Sequence, residues 1–212
     1  MNQPGVDPTR SAAILDTLAR GRAQHFLGPG PLETHIEHSL GFAACVLEPA
    51  TALDLGSGGG VPGLVLARLR WPATRWVLVE ARERRCEFLR DEARRLGVIA
   101  RVEVRTERAE VAGRDPALRG TVDVVVARGF GRPAVTAECA APFLRVGGHL
   151  VVSEPPGGRP QGWTGAGLTE LGLERTAHGP GTGFTYAVFR AVRACPDRFP
   201  RRTGLPAKRP LF

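Results

Sequence analysis

The chain has 212 residues, 42% hydrophobic and 24% charged, which is the composition of a soluble globular protein of one core with short extensions. No apolar run approaches the roughly 18 residues a helical membrane span requires, and the opening MNQPGVDPTR has an acid and two prolines where a secretory signal needs a basic start and an apolar stretch. The 29 Lys+Arg against 21 Asp+Glu give a net charge of +8, and Lys208 is the sole lysine; arginine forks suit phosphate and stack on bases, although GC-rich coding produces the same bias without function. Cys45, Cys86, Cys139 and Cys195 are scattered with no C-x-x-C pair, so neither a disulfide framework nor a thiolate metal site is expected, and a reducing cytoplasm is the natural setting.

In chain order, residues 11–47 carry apolar positions at helical spacing, first Ile14, Leu15 and Leu18, then Leu32, Ile36, Leu40, Ala43, Ala44 and Leu47. Gly28-Pro29-Gly30-Pro31 interrupts them, which predicts two helices in an N-terminal extension, 1–49. From Ala50 the texture becomes short apolar runs alternating with amphipathic stretches. Strands are predicted at Ala52–Leu55, Trp76–Glu80, Val102–Arg105, Val122–Ala127 and His149–Ser153, with helices at Gly63–Arg70, Arg82–Leu96 and Arg132–Leu144. That alternation predicts an α/β fold, a mostly parallel sheet with helices on both faces, over a main domain 50–194. Glu154–Gly167 is Pro- and Gly-rich and reads as loop, while Leu171–Arg175 and Phe184–Val192 predict an antiparallel C-terminal edge pair. Cys195–Phe212, CPDRFPRRTGLPAKRPLF, is a basic Pro-rich tail that the prolines exclude from helix or inner strand.

The chemistry concentrates in Asp54–Gly63, DLGSGGGVPG, which follows the first strand and opens a helix at Leu64-Val65-Leu66-Ala67. Glycines permit positive φ and close approach of a ligand to the main chain, and the first helical amides favour a carboxylate or phosphate. Gly58-x-Gly60-x-x-Gly63 formally matches a dinucleotide loop, so a nicotinamide-dependent dehydrogenase stays open on these residues. The other register, Asp54-x-Gly56-x-Gly58-x-Gly60, resembles the first motif of class I S-adenosylmethionine-dependent methyltransferases, whose Rossmann-like sheet it implies. Glu80, closing the second strand, can then accept both ribose hydroxyls.

Several segments together resemble the 16S ribosomal RNA guanine-N7 methyltransferases, also called glucose-inhibited division protein B. The glycine loop continues as Pro62-Gly63-Leu64; Arg105–Glu110, RTERAE, is similar to the family's fourth-motif segment beside the adenine. Val125–Phe130, VVARGF, is similar to the family's S/A-R-A strand end, Pro142–Val152 to its fifth strand, and Arg198–Leu211 to its closing basic pattern. The resemblance implies S-adenosylmethionine as cofactor, with Asp54, Gly56, Ser57, Gly58, Gly60, Val61, Glu80, Ala109, Glu110 and Arg128 as its binding residues. Arg128 is also the catalytic candidate, reaching the methionine end or the incoming guanine. The implied partner is 16S rRNA or the small ribosomal subunit, at its 530 loop, bound by a monomer with no obligate protein partner. The tail would follow RNA phosphates. Three segments depart from the family pattern: HIEHSL puts His38 where an aspartate is usual, Ser153–Gly157 reads SEPPG in place of a lysine and glycine, and a W-N-x-x-x-N-L-T segment is absent. They motivate the alternatives of a non-catalytic RNA-binding paralogue or a methyltransferase with another substrate.

His35 and His38, three apart, share a helix face, but no third ligand stands near them and no metal is expected. Pro155-Pro156 follows the fifth strand, not the fourth, and reads as loop rather than as an amino-group methyltransferase motif. Guanine N7 carries a lone pair and no proton, so its methylation needs alignment and no general base.

Overall fold

The computed structural model describes residues 8–158, 160–163, 165–178 and 183–212. The reading of the chain's opening as free of a secretory signal falls largely on residues 1–7, outside them. Two helices, α1 (Pro8–Ala23) and α2 (Leu32–Cys45), lead into β1 (Thr51–Leu55), α3 (Gly63–Leu69), β2 (Arg75–Glu80), α4 (Glu83–Arg95) and β3 (Val102–Thr106). A one-turn α5 (Ala109–Ala112) precedes β4 (Val122–Ala127), α6 (Pro133–Ala140) and β5 (Leu144–Glu154). The chain then forms α7 (Ala166–Leu171), β6 (Leu173–His178), β7 (Thr185–Ala191) and α8 (Leu205–Lys208).

The strands form one sheet in the order β3-β2-β1-β4-β5-β7-β6. β1 pairs in parallel with β2 and β4, β2 with β3, and β4 with β5; β7 runs antiparallel to both β5 and β6. The predicted parallel sheet with an antiparallel edge pair is therefore what the chain forms. Strand order reverses at β1/β4, and the loops at the carboxyl ends of β1, β2 and β4 there bound a crevice.

Side chains alternate across each strand and divide the core in two. Leu53, Leu55, Val125, Ala127, Leu150, Val152, Ala187 and Phe189 face α6, α7 and the tail. Ala52, Val124, Val126, Val151 and Val188 face α1, α2, α3 and α4. Ile14, Leu18 and Phe42 from the N-terminal helices are buried in the second cluster and Phe199 from the tail in the first, so both ends of the chain share the cores of the sheet.

Three expectations are corrected. The predicted helix Arg132–Leu144 stops at Ala140, because Pro142 cannot continue it; a 3₁₀ turn, Ala141–Phe143, follows, and β5 starts at Leu144 and runs longer than predicted. The loop expected over Glu154–Gly167 contains a second 3₁₀ turn, Pro160–Trp163, and the start of α7. The tail is not wholly irregular: Leu205–Lys208 is one helical turn with Pro206 in its first two positions, where a missing N–H costs nothing.

Candidate active site

At the carboxyl ends of β1, β2 and β4 lies a cleft of about 580 Å³, a size that suits a small-molecule cofactor. Gly56, Val79, Glu80, Ala109, Glu110 and Phe130 are among the residues lining it. Gly56 adopts φ +74°, and a Cβ there would stand 2.7 Å from Phe130 Cδ2, so the bare main chain is what lets the Phe130 ring lie against the loop. Glu80 ends β2 and is largely buried. Its Oε1 accepts from the Arg82 N–H at 2.9 Å and its Oε2 from the Gly58 N–H at 3.1 Å, with Arg85 Nη1 3.5 Å away. A carboxylate offers about four lone-pair sites, so this fixed group keeps acceptor capacity for a diol. Val79, Ala109, Val135 and Cys139 supply an apolar wall for a flat ring. The donor set therefore fits an adenosyl cofactor.

Of the sequence-predicted site residues, Gly56, Glu80, Ala109 and Glu110 come together around this cleft, and Gly58 reaches it through its bond to Glu80. Asp54, Ser57, Gly60 and Val61 do not line it. Asp54 shares the strand face of Ala52, so its side chain turns under α3: Oδ2 accepts the Gly63 N–H at 2.9 Å, and Oδ1 has no partner among the described residues. Burial raises its pKa to about 7, opposed by the Gly63 bond and by Arg128. Ser57 is buried and donates to the Asp54 carbonyl at 2.9 Å, Gly60 packs on Leu64, and Val61 packs against the cluster under α1 and α2. These residues shape the turn from behind.

Arg128 also lies outside the cofactor cleft. One residue past β4, it continues the parity of Val124 and Val126 toward α2, where Nη2 meets His35 Nδ1 at 2.6 Å. Burial and the Arg128 charge hold His35 below its usual pKa, and because a guanidinium only donates, Nδ1 is the acceptor of that bond. His38 is driven down to about 4, mainly by burial, and stacks on Phe184 with ring centroids 4.7 Å apart. Arg128 and His38 line a second cavity of about 320 Å³, which shares Gly129, Phe130 and Gly131 with the larger cleft.

The tail closes one side of the cleft. Ala207 of α8 lines it, and Glu110 Oε1 accepts the Gly204 N–H at 2.9 Å. Behind this, fully buried Glu138 on α6 takes the N–H, Nε and Nη2 of Arg201 at 2.9, 2.8 and 2.6 Å. Arg119 donates to the Phe199, Cys195 and Pro196 carbonyls, and Arg114 to that of Pro200. Phe130, Arg85 and Ala207 were not singled out from sequence. Phe130 is flanked by Gly129 and Gly131 directly beyond a strand end, a signal that marks a loop built for close approach; nothing local marks Ala207.

The rRNA small subunit methyltransferase G (GidB) family model matches residues 30–154. The chain is 37% identical over 177 residues to ribosomal RNA small subunit methyltransferase G of Prochlorococcus marinus, covering 77% of this chain and 69% of that protein. It is 34% identical over 219 residues to the protein of the same name from Rubrobacter xylanophilus, covering 92% and 80%. Its fold is similar to the cofactor-bound crystal structure of Rv0187 from MTB, with a TM-score of 0.62 at 21% identity over 91% of this chain and 100% of that one. With the class I methyltransferase strand order and the acid and glycine loop at its carboxyl edge, the chain belongs to the rRNA small subunit methyltransferase G family.

Proposed function

We propose that this chain transfers the methyl group of S-adenosylmethionine to N7 of a guanine in 16S rRNA, in the small ribosomal subunit or in its naked RNA, within the cytoplasm. The observation that carries the reading is Glu80, held by two main-chain N–H groups beside Gly56 in the cleft of a chain of this family. Glu80 binds the ribose hydroxyls, Val79 and Ala109 flank the adenine, and Gly56 lets the main chain approach the methionine side. Glu110 fixes the tail as the far wall. The cofactor, when bound, supplies an electrophilic sulfonium methyl. The protein contributes alignment, which in favourable cases is worth about 7–11 kcal/mol, and no side chain need remove a proton from N7. Exposed Arg82, Arg108 and Arg132 line the same cleft and offer charge to RNA phosphates.

The test is tritium transfer from labelled S-adenosylmethionine to small subunits and to naked 16S rRNA from a strain lacking this protein, followed by mapping of 7-methylguanine. Incorporation at one guanine is expected. Tight RNA binding without incorporation would overturn the reading in favour of a non-catalytic RNA-binding protein.

A further inference from the structure

The second cavity holds chemistry that the cofactor does not use. Its walls include the Phe130 ring, Pro133, Val152, Pro155 and the Trp163 ring, which are flat or apolar surfaces. Two buried polar atoms of its lining residues, Arg128 Nη1 and His38 Nε2, have no hydrogen-bond partner among the described residues. Such atoms cost roughly 1–3 kcal/mol each when left unmet, more for a charged group. Arg128 is held in place by the bond from Nη2 to His35, which uses one of the five N–H donors of the guanidinium. At about 320 Å³ the cavity is at the small end of ligand pockets, the right class for a single base turned out of its stack.

We propose that this cavity receives the acceptor base of the RNA, and that the Arg128 guanidinium selects a 6-oxopurine by donating to O6. The inference rests on the methyl-transfer reading and adds the place and the selectivity of the acceptor. An arginine that reads guanine in a duplex grips O6 and N7 together. A methyl acceptor must keep the N7 lone pair free, so here the arginine is to meet O6 alone. A 6-aminopurine would turn N–H against N–H. Phe130, common to the walls of cavity and cleft, then stands where base and cofactor meet.

Two variants and one pair of nucleotides test this. Ser153→Phe places a ring in the cavity from a residue that does not line the cofactor cleft; Arg128→Met removes the donor. Calorimetry with S-adenosylhomocysteine is expected to give both variants an affinity within about threefold of wild type, while tritium transfer to small subunits falls by roughly 100-fold or more for Ser153→Phe and roughly 10- to 150-fold for Arg128→Met. Saturation-transfer NMR on the S-adenosylhomocysteine complex should detect guanosine monophosphate over 2,6-diaminopurine riboside monophosphate, a preference that Arg128→Met abolishes. Transfer by Ser153→Phe at the wild-type rate, or equal NMR response to the two nucleotides in the wild type, would overturn the proposal. Absence of S-adenosylhomocysteine binding or of any transfer by the wild type would instead defeat the methyl-transfer reading beneath it.

Discussion

Replacing Arg201 by methionine should loosen the tail from the body of the protein. The substitution removes two charged donors, Nε at 2.8 Å and Nη2 at 2.6 Å, from Glu138, which stays fully buried with only the residue-201 N–H at 2.9 Å. Breaking a buried pair from one side costs about 3–5 kcal/mol. The Arg201 side chain is 23% exposed, so water partly replaces it and the lower end, about 3 kcal/mol, applies. For a domain of this size that lowers Tm by roughly 6–12 °C. The double variant Glu138→Met/Arg201→Met, which removes the stranded charge, should regain much of the loss, giving a coupling in the double-mutant cycle well above 1 kcal/mol. Because Gly204 and Ala207 follow Arg201 onto the cleft, the single variant should also bind S-adenosylhomocysteine more weakly. The assay is thermal unfolding followed by circular dichroism, with calorimetry alongside. A single variant melting within 1 °C of wild type would refute the clamp and return the tail to a loosely held basic arm.

Three further substitutions probe the glycine loop and its supports. Between pH 4 and 7 the folded chain keeps a proton on Asp54 that the unfolded chain has released, so this group makes stability fall as pH rises through that window. Its displacement from 3.8 to about 7 corresponds to at most roughly 4 kcal/mol, and Asp54→Asn should remove that slope from urea midpoints at pH 4.5 and 7; an unaltered slope would contradict the burial argument. Gly63→Ala would set a Cβ 2.6 Å from Asp54 Oδ2 and 2.7 Å from Leu78 Cδ2, and should cost about 1–3 kcal/mol in denaturant unfolding; a neutral result would mean that α3 is free to shift. Thr17→Val takes the 2.7 Å hydroxyl bond from buried Glu92, whose carboxyl is pushed up by burial but held below its usual range by Arg20 and Thr17. A loss of about 1–3 kcal/mol is expected, with m unchanged if α1 is an integral part of the fold.

Much of the fold was legible because its signals are local. Runs such as Val122–Ala127 read as buried strands, and an acid at the tip of β2 after a glycine loop reads as a cofactor edge. The missed pieces depend on distant partners. α8 is too short and too proline-marked to be read locally, and its position follows from Arg201 finding Glu138, 63 residues away. α7 is six residues ended by Gly172 at φ +80°, where propensity over so short a span decides little. At the site, Gly56, Glu80, Ala109 and Glu110 line one cleft, whereas Asp54 and Arg128 turn away from it. Alternation alone would have sent Asp54 under α3 and Arg128 toward α2, since Ala52, Val124 and Val126 already define that face. The glycines were read as room for a ligand, yet Cβ atoms at Gly56, Gly59, Gly60 and Gly63 would meet Phe130, Leu27, Leu64 and Asp54 of the protein itself. Sequence records that space is needed there and not what fills it.

On the proposed reading, an adenosyl methyl donor is held by Glu80 against the turn after β1. Calorimetric titration of S-adenosylhomocysteine into wild type, Glu80→Ala and Gly58→Ala tests it most directly. Losing the diol acceptor removes hydrogen bonds to a carboxylate, and since even one such bond is worth about 1.5–3 kcal/mol, Glu80→Ala should weaken binding by at least roughly 10- to 100-fold. Gly58→Ala, strained at φ +52° and unable to keep its N–H on Glu80 without cost, should weaken it less. Wild-type affinity in Glu80→Ala, with the variant folded as judged by its melting, would contradict the account.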